Sequence, residues 1–124
     1  MFEYYQNKDT GRWHWRLVAH NHETICSSQS VGHESEAGIK KGIESLISHV
    51  KNAISIPKQF EIWEDNHGRW HWNLTADNNE IVCHGQPHGF VSRASAKKGI
   101  QAVITLVQEI LKSGLTVNMK EVDE

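Results

Sequence analysis

The sequence predicts an α+β fold in which two tandem β-β-β-α-β units form a single antiparallel sheet, with both helices on one face and a pseudo-twofold axis between the units. Three observations lead there. Gly11-Arg12-Trp13-His14-Trp15 returns as Gly68-Arg69-Trp70-His71-Trp72, and the same offset of 57 carries Leu17 to Leu74, Cys26 to Cys83 and Lys40-Lys41-Gly42-Ile43 to Lys97-Lys98-Gly99-Ile100. Roughly half of the paired positions from Gly11 to Ala53 are identical, so the chain is a duplicated unit. Within each copy the apolar period changes once, from two residues to about 3.6. A unit of about 57 residues with one helix buries little apolar surface by itself, so the copies are expected to share one core. The expected boundaries are residues 1–57 and 58–124, with Pro57 at the joint.

Each unit opens with a short strand, Phe2 to Tyr5 or Phe60 to Trp63. Asp9-Thr10-Gly11 and Asn66-His67-Gly68 supply turn residues before the next strand. In that strand Trp13, Trp15, Leu17 and Ala19 alternate with Arg12, His14, Arg16 and Val18, the period of a sheet with one buried face. The second copy alternates likewise. Asn21-His22 and Asn78-Asn79 read as two-residue turns into a third strand, a register that pairs Leu17 with Cys26 and Val18 with Ile25. Ser35 and Ser92 are placed to cap the helices that follow. One carries a stripe of Ile39, Ile43, Leu46, Ile47 and Val50, the other of Ile100, Val103, Ile104 and Val107, extended by Ile110 and Leu111. Gly42 and Gly99 lie inside these helices, where glycine costs about 1 kcal/mol relative to alanine, so a close approach of helix to sheet is expected there. Leu115 to Met119 reads as a last strand and Ile54-Ser55-Ile56 as its shorter counterpart.

The order of these features resembles the YegP-like family, small bacterial and archaeal domains of unknown function that often occur in tandem. Phe2, Tyr5, Gly11, Trp13, Trp15, Leu17, Asn21, Glu23, Ser35, Gly42 and Ile43 carry the pattern, which recurs from Phe60 to Ile100. The resemblance implies a single sheet from two β(3)-α-β units with exchange of the last strands between units. It implies no activity. His14 and His71 stand where the family more often has arginine, His22 and Asn79 where its turn usually has glycine, and His33 at a usually aromatic position that Phe90 keeps.

Charge and composition narrow the function classes. The chain has 13 basic and 15 acidic residues, and three of the acids, Glu121, Asp123 and Glu124, lie in the last four residues. The remaining body is close to neutral, so nucleic-acid binding would require a local patch rather than a global field. Cys26 and Cys83 are too few for a disulfide framework and read as reduced core thiols. No apolar run of membrane-spanning length or export signal is apparent, and a cytoplasmic, monomeric protein is expected.

The sheet face opposite the helices is where a site is expected. The period of two puts Tyr5, Arg12, His14, Arg16, Trp63, Arg69, His71 and Asn73 there, with Val18, Ile25, Thr75 and Val82 as smaller neighbours. Arginine forks and exposed aromatic rings suit an anionic or planar ligand, such as a nucleotide or single-stranded nucleic acid. The same residues with Glu3 and Glu61 also make an ordinary solvated face of cross-strand ion pairs. Trp13, Trp15, Trp70 and Trp72 run in phase with leucine and belong to the core. Cys83, His84 and His88 have zinc-like spacing, but the first copy lacks them, and no metal or other cofactor is expected. A non-enzymatic binding module is the first reading; the alternative is a structural or protein-interaction domain using the open face or a sheet edge. A third reading makes His14 and His71 an acid and base pair brought together across the axis.

Overall fold

The computed structural model describes residues 1–28, 31–113 and 119–123. In chain order it contains β1 (Phe2–Gln6), β2 (Trp13–Val18), β3 (Thr24–Ser28), α1 (Glu36–Val50), β4 (Phe60–Glu64), β5 (Trp70–Thr75), β6 (Ile81–His84), α2 (Arg93–Lys112) and β7 (Met119–Glu121). The strands form one seven-stranded sheet in the order β4-β5-β6-β3-β2-β1-β7. At its centre Ser27 pairs with His84, its own counterpart in the repeat, so the pseudo-twofold axis passes between β3 and β6.

The sheet is mixed rather than wholly antiparallel. β1 to β6 pair antiparallel, but β7 runs parallel to β1 with Phe2 opposite Met119 and Tyr4 opposite Glu121, and Val122 N–H donates to Tyr4 O at 2.9 Å. The second unit thus supplies the strand that covers the first unit's outer edge. Of the expected last strand, Leu115 to Asn118 lie outside the described residues. Ile54-Ser55-Ile56 is not a strand. Pro57 follows it without an N–H to donate, and Phe60 N–H bonds Pro57 O at 3.1 Å, which turns the chain directly into β4.

Both inner hairpins depart from the expected register in the same way. His22 N–H donates to Ala19 O and Ala19 N–H to Glu23 O, and His22 takes φ 68°. The loop therefore has three residues, His20 to His22, rather than two. Asn79, with φ 67°, does the same between Ala76 and Glu80. Val18 consequently pairs with Thr24 instead of Ile25, and a bulge restores Leu17 opposite Cys26. Ile25 and Val82 are the extra residues, and a bulge turns such a residue toward its neighbour's face. Val82 is buried in the core and Ile25 packs against it, so neither sits on the open face.

Ser35 Oγ accepts Gly38 N–H and Ser92 Oγ accepts Ser95 N–H, which starts both helices at corresponding places. Their apolar stripes join Phe2, Trp15, Leu17, Phe60, Trp72 and Leu74 in one cluster that spans both units. A Cβ on Gly42 would lie 2.9 Å from Trp15 Nε1, and one on Gly99 would lie 2.8 Å from Phe90 Cζ and 3.2 Å from Trp72 Nε1, so the helix backbones rest on the indoles. Those indole N–H groups have no hydrogen-bond partner among the described residues. Each orphan donor costs about 1–3 kcal/mol, whereas burying roughly 200 Å² of ring at about 25 cal/mol per Å² returns about 5 kcal/mol. Trp13 and Trp70 are half-buried against the same cluster. Gln108 Nε2, on α2, donates to Val50 O and Ala53 O at 2.9 Å and fastens the two units at the end of α1. Among the described residues no helix is long and apolar enough to cross a membrane.

Candidate functional site

The two halves of the open face carry the same pattern with one decisive exchange. In the first half His14 stacks on Tyr5 with ring centroids 5.4 Å apart, and the Arg16 guanidinium lies 5.5 Å from the Tyr5 centroid while Arg16 Nε donates to Glu3 Oε1 at 2.9 Å. The guanidinium therefore closes this half with an ion pair and a cation–π contact. In the second half His71 stacks on Trp63 at 5.6 Å, but Asn73 stands where the first half has Arg16. Asn73 is opposite Glu61 and His84, too short to reach over Trp63 as Arg16 reaches over Tyr5.

That exchange leaves a hollow of about 360 Å³, bounded by Trp63, His71, Asn73, Ile81, His84 and Pro87. Its floor is polar. Asn73 is 91% buried, and its Oδ1 has no hydrogen-bond partner among the described residues. His84 Nδ1 donates to Gly85 O at 2.8 Å, so a neutral His84 ring carries its acceptor at Nε2. The rim is apolar: Trp63 and Ile81 are both about two-fifths exposed. The hollow thus combines an aromatic wall, an aliphatic rim and hydrogen-bond acceptors, with no lysine, arginine, aspartate or glutamate among its described lining residues.

Arg12 and Arg69 take a different part. Arg12 Nε donates to Val31 O at 3.1 Å and Nη2 to Gly32 O at 2.9 Å, with Glu34 at 3.7 Å from Nη1. Arg69 makes the same fork to His88 O and Gly89 O at 3.0 and 2.9 Å. Both arginines clamp the segment that leads into the following helix. At Gly32 and Gly89, φ is 78° and 74°, and a Cβ would meet His14 or His71 at 2.7–2.8 Å, so each clamped loop needs its glycine.

Asp65 is a site residue that periodicity does not reveal, because it lies in the turn beyond β4. Its Oδ2 meets His71 Nε2 at 2.7 Å, while Oδ1 accepts the N–H groups of His67 and Arg69. The His71 hydrogen bond, followed by that from Arg69, holds the Asp65 carboxyl down to about 2. The corresponding turn position in the first unit is Asn7, whose Oδ1 accepts the N–H groups of Asp9 and Thr10. The signal for Asp65 was its place opposite Arg69 at the hairpin end.

His14 and His71 are not brought together. They lie on β2 and β5, which β3 and β6 separate, and three strand spacings amount to about 14 Å. Cys26 and Cys83 are buried and unbridged, and burial together with the neighbouring Cys26 pushes the Cys83 thiol well up. His84 faces the hollow instead of joining Cys83 in a ligand set, and among the described residues no three His, Cys, Asp or Glu side chains converge as metal ligands would.

Known proteins share this architecture. The family model described as "Domain of unknown function (DUF1508)" matches residues 9–54 and 65–109, one match per repeat. A UPF0339 protein encoded in the 5′ region of the ptx operon of Stutzerimonas stutzeri is 31% identical over 102 residues, covering 82% of this chain and 84% of that protein. A UPF0339 protein of Pseudomonas aeruginosa is 32% identical over 93 residues, covering 75% and 77%. The solution structure of yegP from E. coli superposes with a TM-score of 0.76 at 24% identity, covering 98% of this chain and 91% of its own. A UPF0339 protein of Shewanella oneidensis gives 0.75 at 20% identity, covering 98% and 90%. With both repeats matched, the chain belongs to the DUF1508 family, as a YegP-like tandem repeat.

Proposed function

We propose that the protein is a non-enzymatic binding module that holds a small planar ligand, of nucleobase type, in the second half of its open sheet face. The single observation that supports this is the exchange of Arg16 for Asn73 within the repeat, which opens the hollow beside Trp63 and leaves a buried acceptor on its floor. A volume of about 360 Å³ falls in the range of small-molecule sites. Trp63 offers the stacking surface, and Asn73 Oδ1 and His84 offer acceptors to the N–H groups of a heterocycle. Tyr5, His14 and Arg16 form the filled counterpart, and Arg12 and Arg69 position the loops around it. Because Nε and Nη2 of each of these arginines already donate to loop carbonyls, recognition rests on the planar part of a nucleotide more than on its phosphate.

The test is a titration of the ¹⁵N-labelled chain with nucleosides, their monophosphates and a short single-stranded oligonucleotide. The reading expects shifts of the Asn73 side-chain amide, the Trp63 indole and the Gly85 amide, with nucleoside and monophosphate alike. It fails if millimolar concentrations, on the order of the weakest specific affinities, leave those signals in place.

A further inference from the structure

The two edges of the sheet are unequal. β7 covers β1, whereas β4 ends the sheet, and among the described residues no strand pairs with its outer side. The pairing with β5 decides which backbone groups face outward. Thr75 N–H donates to Gln59 O and Asp65 N–H to Arg69 O, so Glu61 and Trp63 turn their backbone toward β5 while Phe60, Ile62 and Glu64 turn theirs to the outside. Phe60 N–H is taken by Pro57 O. Among the described residues Ile62 N–H, Ile62 C=O and Glu64 N–H have no backbone partner and are left for a neighbouring strand. The first unit has the same phase, and there the outward Tyr4 C=O accepts the N–H of Val122, the residue just after β7.

Edge strands are commonly blunted by proline, a bulge or charged side chains, lysine above all. β4 reads Phe-Glu-Ile-Trp-Glu, has no proline or lysine, and pairs with β5 without irregularity. Its charges are acids alone, which turn away other acidic strands and leave the edge open to a basic one. Glu61 and Glu64 are exposed, and Glu61 faces Asn73 with no ion pair among the described residues. Its counterpart Glu3 is held by Arg16 on one side and has Lys120 of β7 in register on the other. A basic residue is therefore what the covered edge presents at the position that β4 leaves open.

We infer that the outer edge of β4 accepts an extended basic peptide segment of a partner protein as an eighth strand. It runs parallel to β4 as β7 runs to β1, with a Lys or Arg in register with Glu61 and apolar residues in register with Phe60 and Ile62. Main-chain bonds to Ile62 and Glu64 supply strand addition, and Glu61 supplies selectivity for charge. A second copy pairing its own β4 antiparallel about Ile62 would set Glu61 opposite Trp63 and Glu64 opposite Phe60, and so brings no basic residue to either acid. The inference does not depend on the hollow beside Asn73.

The probe is a capped pentapeptide Val-Lys-Val-Lys-Val added to the ¹⁵N-labelled full chain, with Val-Glu-Val-Glu-Val as control. The expected result is shifts from Phe60 to Glu64 and hydrogen exchange at Ile62 N–H slowed about ten-fold or more at saturation. Glu61→Gln weakens the lysine peptide about five-fold, and Glu61→Lys transfers preference to the glutamate peptide. Both variants alter an exposed side chain, so the fold persists. Equal responses to both peptides, unchanged Ile62 exchange, or shifts confined to Trp63, His71 and Asn73 would overturn the inference. So would a dimer that protects Ile62 without peptide.

Discussion

Replacing Asn73 with arginine should turn the second half of the open face into a copy of the first. In the first half the arginine at this position makes a 2.9 Å bond to Glu3 and lies 5.5 Å from the Tyr5 centroid. In the second half Glu61 is in register with position 73, and Trp63 stands in the place of Tyr5. The new guanidinium would thus meet a carboxylate and a better cation–π acceptor, contributing about 0.2–1 kcal/mol from each contact. Removing the orphan Oδ1 relieves a further cost of about 1–3 kcal/mol. Against this stands the rotamer entropy of arginine, about 2 kcal/mol when fully ordered. The balance runs from about −0.6 to about +3 kcal/mol, centred on a gain of about 1 kcal/mol, which raises the midpoint of thermal unfolding by about 3–6 °C in a domain of this size. Calorimetry measures that change, and the same variant titrated with a nucleoside should show no shift at the Trp63 indole, because the side chain occupies the hollow. A variant that folds, carries arginine in this position and still binds would refute the reasoning, as would a loss of stability above about 2 kcal/mol.

Other perturbations separate scaffold from site. Arg69→Ala removes both bonds to His88 O and Gly89 O and should cost about 1–3 kcal/mol, with faster hydrogen exchange at Phe90 N–H; a change confined to ligand affinity would contradict its clamping role. Gly99→Ala should destabilise despite the better helix propensity, by about 1–2 kcal/mol net, since the added Cβ lies 2.8 Å from Phe90 Cζ; chemical denaturation checks the sign. For Asp65 the folded carboxyl is held at about 2, below its unfolded value. Its contribution is therefore complete at neutral pH and lost as pH falls from about 4 toward about 2. Asp65→Asn should flatten that part of the acid-unfolding profile, and an unchanged profile would remove the Asp65–His71 bond from the account.

Much of this is legible in the amino-acid sequence alone. The offset of 57 gave the duplication, and Trp15, Leu17, Trp72 and Leu74 announced the buried face because their period matched that of a strand. Gly42 and Gly99 pointed to the close helix contact by breaking a propensity rule in both copies. The hairpin register was less legible, since Asn21 and His22 both tolerate positive φ and nothing local says which adopts it. The parallel pairing of β7 with β1 depends on a partner more than a hundred residues away. Periodicity put Arg12 and Arg69 on the open side, but the carbonyls that take up their forks lie 19 and 20 residues downstream. The exchange of Arg16 for Asn73 was visible in the aligned repeats; only the sheet gave it a volume.

The central claim is that two copies of one unit are stable only as a shared core. Native-state hydrogen exchange across increasing denaturant tests it most directly, by reading the opening free energy of the Leu17 and Leu74 amides in the intact chain. Coincident free energies with the same denaturant dependence, equal to those of global unfolding, are the predicted result. Two distinct values, with one unit opening while the other stays protected, would contradict it.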